Sequence, residues 1–205
     1  MVSSWQTRKL GTSKKKIVRP NIKFIFIGEW FLTTKVVFLD RDGVINKEVG
    51  YLHRIKDFKF IPGVFDACNY FLSLGYQIIV VTNQSGISRG LYKEGDFNIL
   101  NKWMLEEFQQ KGVNILNVFF CPHGPNDSCN CRKPKPGLFL DAMEKYDIDM
   151  SKSWMIGDKE ADIEAANNAG ISQTIIVRSG HKINEEKTKA SFIIDSIPDA
   201  KRLLK

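Results

Sequence analysis

From residue 35 onward, short apolar runs rich in β-branched and aromatic residues alternate with longer segments whose apolar residues recur at helical spacing. The pattern predicts strands in VVFLD, QIIVVTN, NILNVFFCP, SWMIGD and QTIIVRSG, and helices in VFDACNYFLSLG, EGDFNILNKWMLEEFQQKG, GLFLDAMEKYD and KEADIEAANNAG. Strands that alternate with helices indicate an α/β fold with a mainly parallel sheet. We therefore expect a single domain over residues 35–205.

Turn residues and apolar spacing support these boundaries. Pro-Gly pairs at 62–63 and 136–137 stand where two helices begin, and glycines follow several of the helical segments. Inside two of the helices, apolar residues have the spacing of a buried face. The residues expected in the core there are Cys68, Phe97, Leu100, Met104, Leu105 and Phe108.

The first 34 residues differ from the rest in charge. They contain seven Lys and Arg against the single acidic residue Glu29, so they carry most of the net charge of +7. Because charge runs are usually solvated, we expect residues 1–34 to be a flexible basic extension, with a nucleic-acid-binding arm as the alternative. The apolar stretch IKFIFIGEWFL inside this extension is a candidate for one additional strand.

Hydropathy argues against a membrane protein. No apolar run approaches the roughly 18 residues that a membrane-spanning helix requires, and the first residues lack the order of a secretory signal. We expect a cytoplasmic protein without membrane contact and with a monomer as the default state. Composition is ordinary for a globular domain, with 43% hydrophobic residues.

Acidic and hydroxyl side chains stand where the predicted strands end. Asp40 and Asp42 follow the first strand, Thr82 ends the second, and Asp158 follows the fourth. In an open α/β sheet the carboxyl ends of the strands are where ligands bind, so these side chains should meet. Carboxylates suit Mg²⁺, and RKPKPG adds positive charge. Each motif alone is also compatible with a surface turn or a helix cap, but together they indicate phosphoryl transfer.

A short loop concentrates thiol and imidazole groups. CPHGPNDSCNC places Cys121, His123, Cys129 and Cys131 within eleven residues. In a cytoplasmic chain such a cluster indicates Zn²⁺ more than disulfides, and four protein ligands leave no open position for catalysis. We expect a structural zinc in this loop, with a set of reduced thiols as the alternative.

Four motifs, in the order in which they occur along the chain, resemble those of the haloacid dehalogenase superfamily of phosphatases. They are FLDRDGVIN, TNQSGISRG, CRKPKPG and GDKEAD, and together they cover most of residues 36–180. The resemblance implies a Rossmann-like three-layer sandwich and a Mg²⁺-dependent phosphatase. The spacing from Asp40 to Thr82, and from Thr82 to Lys133, leaves little room for a large cap domain, so we expect an open site.

The resemblance also implies a role for each motif residue. Asp40 would be the nucleophile that forms an aspartyl-phosphate. Asp42 would protonate the leaving oxygen and later activate water, and its backbone carbonyl would reach the metal. Thr82 and Lys133 would hold the transferring phosphoryl oxygens. Asp158 would complete the Mg²⁺ site with Asp40 and Asp42.

The zinc-type loop, TNQSGISRG and GYLH resemble one branch in particular, the D-glycero-D-manno-heptose 1,7-bisphosphate 7-phosphatases of bacterial heptose biosynthesis, which makes precursors of lipopolysaccharide or surface polysaccharide. This resemblance implies a small-molecule sugar phosphate as substrate. Arg132 would recognise its other phosphate, which a bidentate guanidinium suits, and Lys159 would assist. The remaining implied substrate contacts are Glu48, Val49, Gly50 and Tyr51 in one loop and Asn83, Gln84 and Ser85 in another.

Three alternatives stay open. The five residues between His123 and Cys129 form a shorter loop than in many heptose enzymes and resemble that of the histidinol-phosphate phosphatases. TNQSGISRG also resembles the phosphatase domain of polynucleotide end-repair enzymes, for which the basic extension would hold the nucleic-acid backbone, although the zinc-type loop argues against this. A non-enzymatic scaffold requires a missing catalytic residue, and none is missing. The anomer preferred is not indicated.

Overall fold

A computed structural model describes residues 33–205 of the chain. The proposed extension and its IKFIFIGEWFL strand therefore lie, apart from Thr33 and Thr34, outside the described residues. The division of the chain at residue 34 stays a prediction. Within residues 33–205, no helix is both long and apolar enough to cross a membrane.

Parallel strands form the centre of the described domain. The strands are β1 (Val36–Leu39), β2 (Gln77–Asn83), β3 (Asn117–Cys121), β4 (Trp154–Gly157), β5 (Gln173–Val177) and β6 (Phe192–Ile194). Within residues 33–205, these strands form one six-stranded sheet in the order β3-β2-β1-β4-β5-β6. Every pairing is parallel, which confirms the predicted α/β class.

Helices connect the strands. They are α1 (Val64–Ser73), α2 (Glu94–Gln110), α3 (Gly137–Tyr146) and α4 (Glu160–Asn168), with short 3₁₀ helices at Ile55–Asp57, Met150–Lys152 and Ile197–Arg202. The predicted helices and the first five strands are confirmed. β6 was not predicted, because its three residues are preceded by the polar segment HKINEEKTKAS and give a short signal.

Apolar side chains fill both faces of the sheet. Val37 and Leu39 pack in one core with residues of α1 and α2, whereas Val36 and Phe38 pack in a second core with residues of α3 and α4. Successive side chains of a strand point to opposite faces, so this division gives the three-layer sandwich. The predicted core residues of α1 and α2 are buried, except that Leu105 is partly buried.

Short connections follow the carboxyl ends of the central strands. Between β1 and α1 the described chain contains turns, the 3₁₀ helix Ile55–Asp57 and isolated bridges, and between β2 and α2 it contains turns. The described residues therefore include no large cap domain, as expected. These loops, and not a second domain, surround the carboxyl edge of the sheet.

Candidate active site

The order of the strands brings the predicted carboxylates together. β1 and β4 are neighbours in the sheet, so Asp40 and Asp158, each of which directly follows its strand, stand side by side. Asp40, Asp158 and Asp162 each offer a carboxylate oxygen within 4.8 Å of the others. Gly43 leaves the space that the Asp158 side chain occupies: it has a φ of +88°, and an added Cβ would lie 2.4 Å from Asp158 Oδ2.

Lys133 supplies the positive charge inside this group of carboxylates. Its Nζ lies 2.9 Å from Asp40 Oδ1 and 2.6 Å from Asp162 Oδ1, and it donates to the Val81 carbonyl at 2.7 Å. Burial by itself lowers the pKa of Lys133, but Asp162 and Asp40 raise it above its ordinary value. Lys133 is therefore a fixed cation beside the first strand end.

Asp162 also fixes the backbone around Asp158. Asp162 Oδ2 accepts hydrogen bonds from the backbone N–H groups of Asp158 (3.1 Å) and Lys159 (3.0 Å). Lys159 immediately precedes α4, so these bonds also satisfy N–H groups at the start of that helix. One carboxylate therefore holds both Lys133 and the loop that carries Asp158.

The carboxylates fit a divalent cation. Burial raises the pKa of Asp40 well above its usual value, as do the charges of Asp162, Asp158 and Asp42, while Lys133 opposes the shift. The pKa of Asp158 is likewise raised, first by burial.

Asp158 Oδ1 is buried and has no hydrogen-bond partner among the described residues, although Oδ2 accepts from His181 N at 3.0 Å and lies 2.6 Å from His181 Nδ1. Oxygen ligands of this kind suit Mg²⁺.

Arg41 and Asn46 both donate hydrogen bonds to Asp42. Arg41 Nη2 lies 3.0 Å from Asp42 Oδ1 and 2.9 Å from Oδ2, and Asn46 Nδ2 donates to Oδ1 at 2.9 Å. Arg41 is 1% exposed and also donates to the Leu52 carbonyl at 3.0 Å. The middle residue of DRD therefore lies inside the protein, and ties the catalytic loop to the GYLH loop.

The second strand end carries Thr82, which is 1% exposed. Gln84 Nε2 donates to Thr82 Oγ1 at 2.8 Å and to Asp42 Oδ2 at 3.3 Å. Tyr92 donates its hydroxyl to Gln84 Oε1 at 2.7 Å. Asn83 instead bonds the Lys133 backbone, with Oδ1 accepting from the N–H at 3.1 Å and Nδ2 donating to the carbonyl at 3.2 Å.

A cavity of about 380 Å³ opens above these strand ends. Among the predicted residues, its lining includes Asp40, Asp42, Thr82, Lys133, Arg132, Lys159, Glu48, Gly50, Tyr51, Asn83, Gln84 and Ser85. Val49 and Asp158 do not contribute to the lining; Asp158 is fully buried. Arg89, Tyr92, Ala161 and His181 also line it and were not predicted as site residues. Arg89 lies in TNQSGISRG, and the resemblance of this motif to the phosphatase family could have identified Arg89 as a site residue.

The cysteine cluster forms beside the cavity. Cys121 Sγ lies 3.5 Å from His123 Nδ1 and 3.8 Å from Cys129 Sγ, and His123 Nδ1 lies 3.3 Å from Cys131 Sγ. A tetrahedral zinc with Zn–S bonds of about 2.3 Å places its sulfurs about 3.8 Å apart. The Cys121–Cys131 distance of 3.0 Å is shorter, but all four ligand atoms lie within 4.8 Å of one another. The group can therefore bind a metal ion.

Arg132 connects this cluster to the cavity. Its Nη1 donates to the backbone carbonyl of His123 at 3.1 Å, and Arg132 immediately precedes Lys133. The cysteine loop therefore holds Arg132 through a backbone carbonyl and leads directly into the buried Lys133.

Comparison with known proteins agrees with this geometry. A family model described as HAD-hydrolase-like matches residues 130–200. The chain is 45% identical over 163 residues to the D-glycero-alpha-D-manno-heptose-1,7-bisphosphate 7-phosphatase of Photorhabdus laumondii, covering 76% of this chain and 89% of that one. It is 45% identical over 176 residues to the D-glycero-beta-D-manno-heptose-1,7-bisphosphate 7-phosphatase of Vibrio cholerae, covering 82% and 95%.

A solved structure has the same fold. The D,D-heptose 1,7-bisphosphate phosphatase of B. bronchiseptica, complexed with magnesium and phosphate, superimposes with a TM-score of 0.75 at 31% identity. The match covers 83% of this chain and 98% of that one. The chain therefore belongs to the heptose-1,7-bisphosphate 7-phosphatase family of haloacid dehalogenase-like hydrolases.

Proposed function

We propose that the chain removes the 7-phosphate of D-glycero-D-manno-heptose 1,7-bisphosphate through an aspartyl-phosphate on Asp40, in bacterial heptose biosynthesis. The observation that carries the proposal is the meeting of Asp40, Asp42, Thr82 and Lys133 around one cavity, in a chain 45% identical to phosphatases of this name. The chain is a phosphoric monoester hydrolase.

In the first step Asp40 attacks the phosphorus atom of the 7-phosphate. Lys133 lies 2.9 Å from Asp40 Oδ1 and orients the carboxylate for attack. Lys133 and the Thr82 hydroxyl stabilise the negative charge on the transferring oxygens. The P–O bond to the sugar breaks, and Asp42 gives its proton to the departing sugar oxygen.

In the second step the aspartyl-phosphate is hydrolysed. Asp42, now ionised, takes a proton from water, and the hydroxide attacks phosphorus and returns the carboxylate of Asp40. Asn46 and Arg41 hold Asp42 on the loop that Asp40 begins, so one carboxyl can serve as acid and then as base.

Magnesium is the cofactor of this chemistry. Asp40 and Asp158, with the backbone carbonyl of Asp42, would hold the ion, which neutralises phosphoryl charge when bound. The unpartnered, buried Asp158 Oδ1 supports this assignment. We further propose that Cys121, His123, Cys129 and Cys131 bind a structural zinc, since a closed set of four protein ligands leaves no position for substrate.

Residues at the rim of the cavity would determine substrate specificity. Arg132 is held through the His123 carbonyl and presents a guanidinium suited to the 1-phosphate. Lys159 lines the same cavity and adds a second cation. Glu48, Gly50 and Tyr51 face it from the opposite loop and would contact the sugar, whereas Asn83 is engaged with the Lys133 backbone. The contact expected for Val49 stays a prediction.

The decisive experiment compares Mg²⁺-dependent phosphate release from both anomers of heptose 1,7-bisphosphate, from histidinol phosphate and from a 3′-phosphorylated oligonucleotide. A heptose kcat/KM higher by roughly a hundredfold, about 2.7 kcal/mol of transition-state preference, supports the proposal. A preference for histidinol phosphate or the oligonucleotide would retain the mechanism but contradict the role of Arg132. Both anomers are needed because relatives named for each match at 45% identity.

Three expectations about the whole protein stay predictions. They are a cytoplasmic location, a monomeric state and the absence of a nucleic-acid partner. Gel filtration with light scattering measures the second. Salt-dependent binding of DNA to the full chain and to a chain lacking residues 1–34 measures the third.

A further inference from the structure

Tyr92 and Gln84 form a buried pair that has no role in the proposed mechanism. Tyr92 is 6% exposed and Gln84 is 2% exposed. The pair is one end of a hydrogen-bond chain that runs from the Tyr92 hydroxyl through the Gln84 amide to Thr82 and Asp42. Gln84 is thus bonded directly to two residues of the proposed chemistry, and Tyr92 is connected to them through Gln84.

The orientation of the Gln84 side-chain amide is determined by the Asp42 carboxyl group. Arg41 and Asn46 also donate to the Asp42 carboxyl group, whose oxygens therefore act as acceptors, so the amide turns its NH₂ group toward Asp42 and its oxygen toward Tyr92. The Tyr92 hydroxyl faces this oxygen, which can only accept, so the hydroxyl must donate the hydrogen bond. Burial raises the pKa of Tyr92 to about 12, so the phenol keeps the hydrogen that it donates. The direction of every bond in the chain is thereby determined.

This direction has a consequence for Thr82. Both amide hydrogens of Gln84 are used, one toward Thr82 Oγ1 at 2.8 Å and the other toward Asp42 Oδ2 at 3.3 Å. Because Thr82 accepts in this bond, its own hydroxyl hydrogen is free to be donated elsewhere. In the proposed mechanism the acceptor is an oxygen of the transferring phosphoryl group.

The Tyr92 ring is itself held in place by a glycine of its own loop and by His53 of the GYLH loop. A Cβ added to Gly86 would lie 2.1 Å from Tyr92 Cε1, so the ring packs directly on the backbone of this glycine. The His53 ring stacks on Tyr92 with centroids 5.0 Å apart and an interplanar angle of 11°. The ring position is therefore determined by packing, independently of the hydrogen bond to Gln84.

We propose that Tyr92 and Gln84 are positioning residues for phosphoryl transfer, which hold the Thr82 hydroxyl as a donor and the Asp42 carboxylate in its working orientation. The inference rests on the proposed function, in which Thr82 and Asp42 act on the phosphoryl group. Gln84 then acts through these two residues, in place of the direct substrate contact expected from the sequence.

The test is a double-mutant cycle on kcat. Tyr92→Phe removes one hydroxyl, and we expect kcat to fall about tenfold while KM stays within about twofold. Gln84→Leu removes both donors, with an expected loss of about a hundredfold. In the Gln84→Leu background, adding Tyr92→Phe should have no further effect, because the hydroxyl acts only through the amide.

Tyr70→Phe is the matched control. The Tyr70 hydroxyl is bonded to the Leu204 carbonyl at 3.3 Å, away from the site, so this variant should keep the wild-type kcat. Inorganic vanadate, which mimics the transferring phosphoryl group, should inhibit Tyr92→Phe more weakly than Tyr70→Phe. If Gln84→Leu does not fold, the isosteric Gln84→Glu replaces it, since its carboxylate cannot donate to both partners.

Two results would overturn the positioning role: a Tyr92→Phe kcat within about twofold of wild type, or the same loss from Tyr92→Phe in both backgrounds. Every variant is assayed on p-nitrophenyl phosphate as well as on heptose 1,7-bisphosphate. A wild-type protein that cleaves only the aryl ester contradicts the proposed substrate, and the cycle on that ester then decides the role of Tyr92 and Gln84 separately.

Discussion

Replacing Lys133 with methionine tests both the stability and the chemistry of the site. The side chain of Lys133 is 2% exposed and its Nζ contacts Asp40 at 2.9 Å and Asp162 at 2.6 Å. Methionine retains most of the volume but leaves two buried carboxylates without their cation. Removing one partner of a buried ion pair costs about 3–5 kcal/mol, so the cost in stability should be large.

The expected change in melting temperature follows from this range. In a domain of this size, 1 kcal/mol shifts Tm by roughly 2–4 °C, so Lys133→Met should lower Tm by about 6–20 °C. Because the folded pKa of Lys133 is raised, its contribution is fully present below the ordinary pKa of about 10.4 and is lost as the pH rises through the higher folded value. Calorimetry at pH 7, without metal, therefore measures all of it.

The same variant should lose kcat by about a hundredfold to a thousandfold, because it lacks the cation that stabilises the transferring oxygens in the proposed mechanism. The control is Lys152→Met, since Lys152 makes an exposed ion pair with Asp149 at 2.9 Å and its loss should leave Tm and kcat unchanged. Adding Asp162→Asn to Lys133→Met should recover part of the Tm. A Tm for Lys133→Met equal to that of the control would refute the argument from the buried pair.

Three further predictions concern the nucleophile, the turn and the zinc loop. Asp40→Asn should abolish phosphate release without lowering Tm, because the variant is isosteric and Lys133 keeps its ion pair with Asp162; substantial residual turnover would remove the nucleophile assignment. Gly43→Ala should weaken Mg²⁺ activation, since its Cβ would lie 2.4 Å from Asp158 Oδ2, and a wild-type response of kcat to Mg²⁺ would contradict this. Cys129→Ser should lower the zinc content measured by elemental analysis and raise KM through the displaced Arg132, whereas purified wild-type protein without zinc would defeat the zinc assignment.

The sheet was predictable because its signals are local. Apolar runs of β-branched residues, such as QIIVVTN, and helical spacing in α2 identify their own elements. Because the carboxyl ends of parallel strands meet at one edge, placing Asp40, Thr82 and Asp158 at strand ends was enough to bring them together. β6 was missed because a three-residue strand has no periodicity of its own, and it forms only by pairing with β5.

The parts of the site that escaped prediction depend on contacts between distant segments. Arg41 belongs to a motif that is also compatible with a surface turn, but it is buried, and its Nη2 donates to Asp42 and to the Leu52 carbonyl. Tyr92 reads as an isolated aromatic residue after a glycine-containing loop. It enters the site because Gly86 leaves space for its ring and His53 stacks on it.

Substituting the residues that make these contacts should affect the reaction differently from substituting the motif residues. In the proposed mechanism a motif residue such as Asp40 reacts with the substrate, so replacing it should stop the reaction. Tyr92 determines only the direction in which a hydroxyl and an amide donate, and replacing it should slow the reaction while substrate affinity remains. Because Gln84 joins Thr82 to Asp42, a single amide couples phosphoryl-oxygen stabilisation to the acid–base group. A change at Tyr92 should therefore affect both formation and hydrolysis of the aspartyl-phosphate, which single-turnover kinetics can separate.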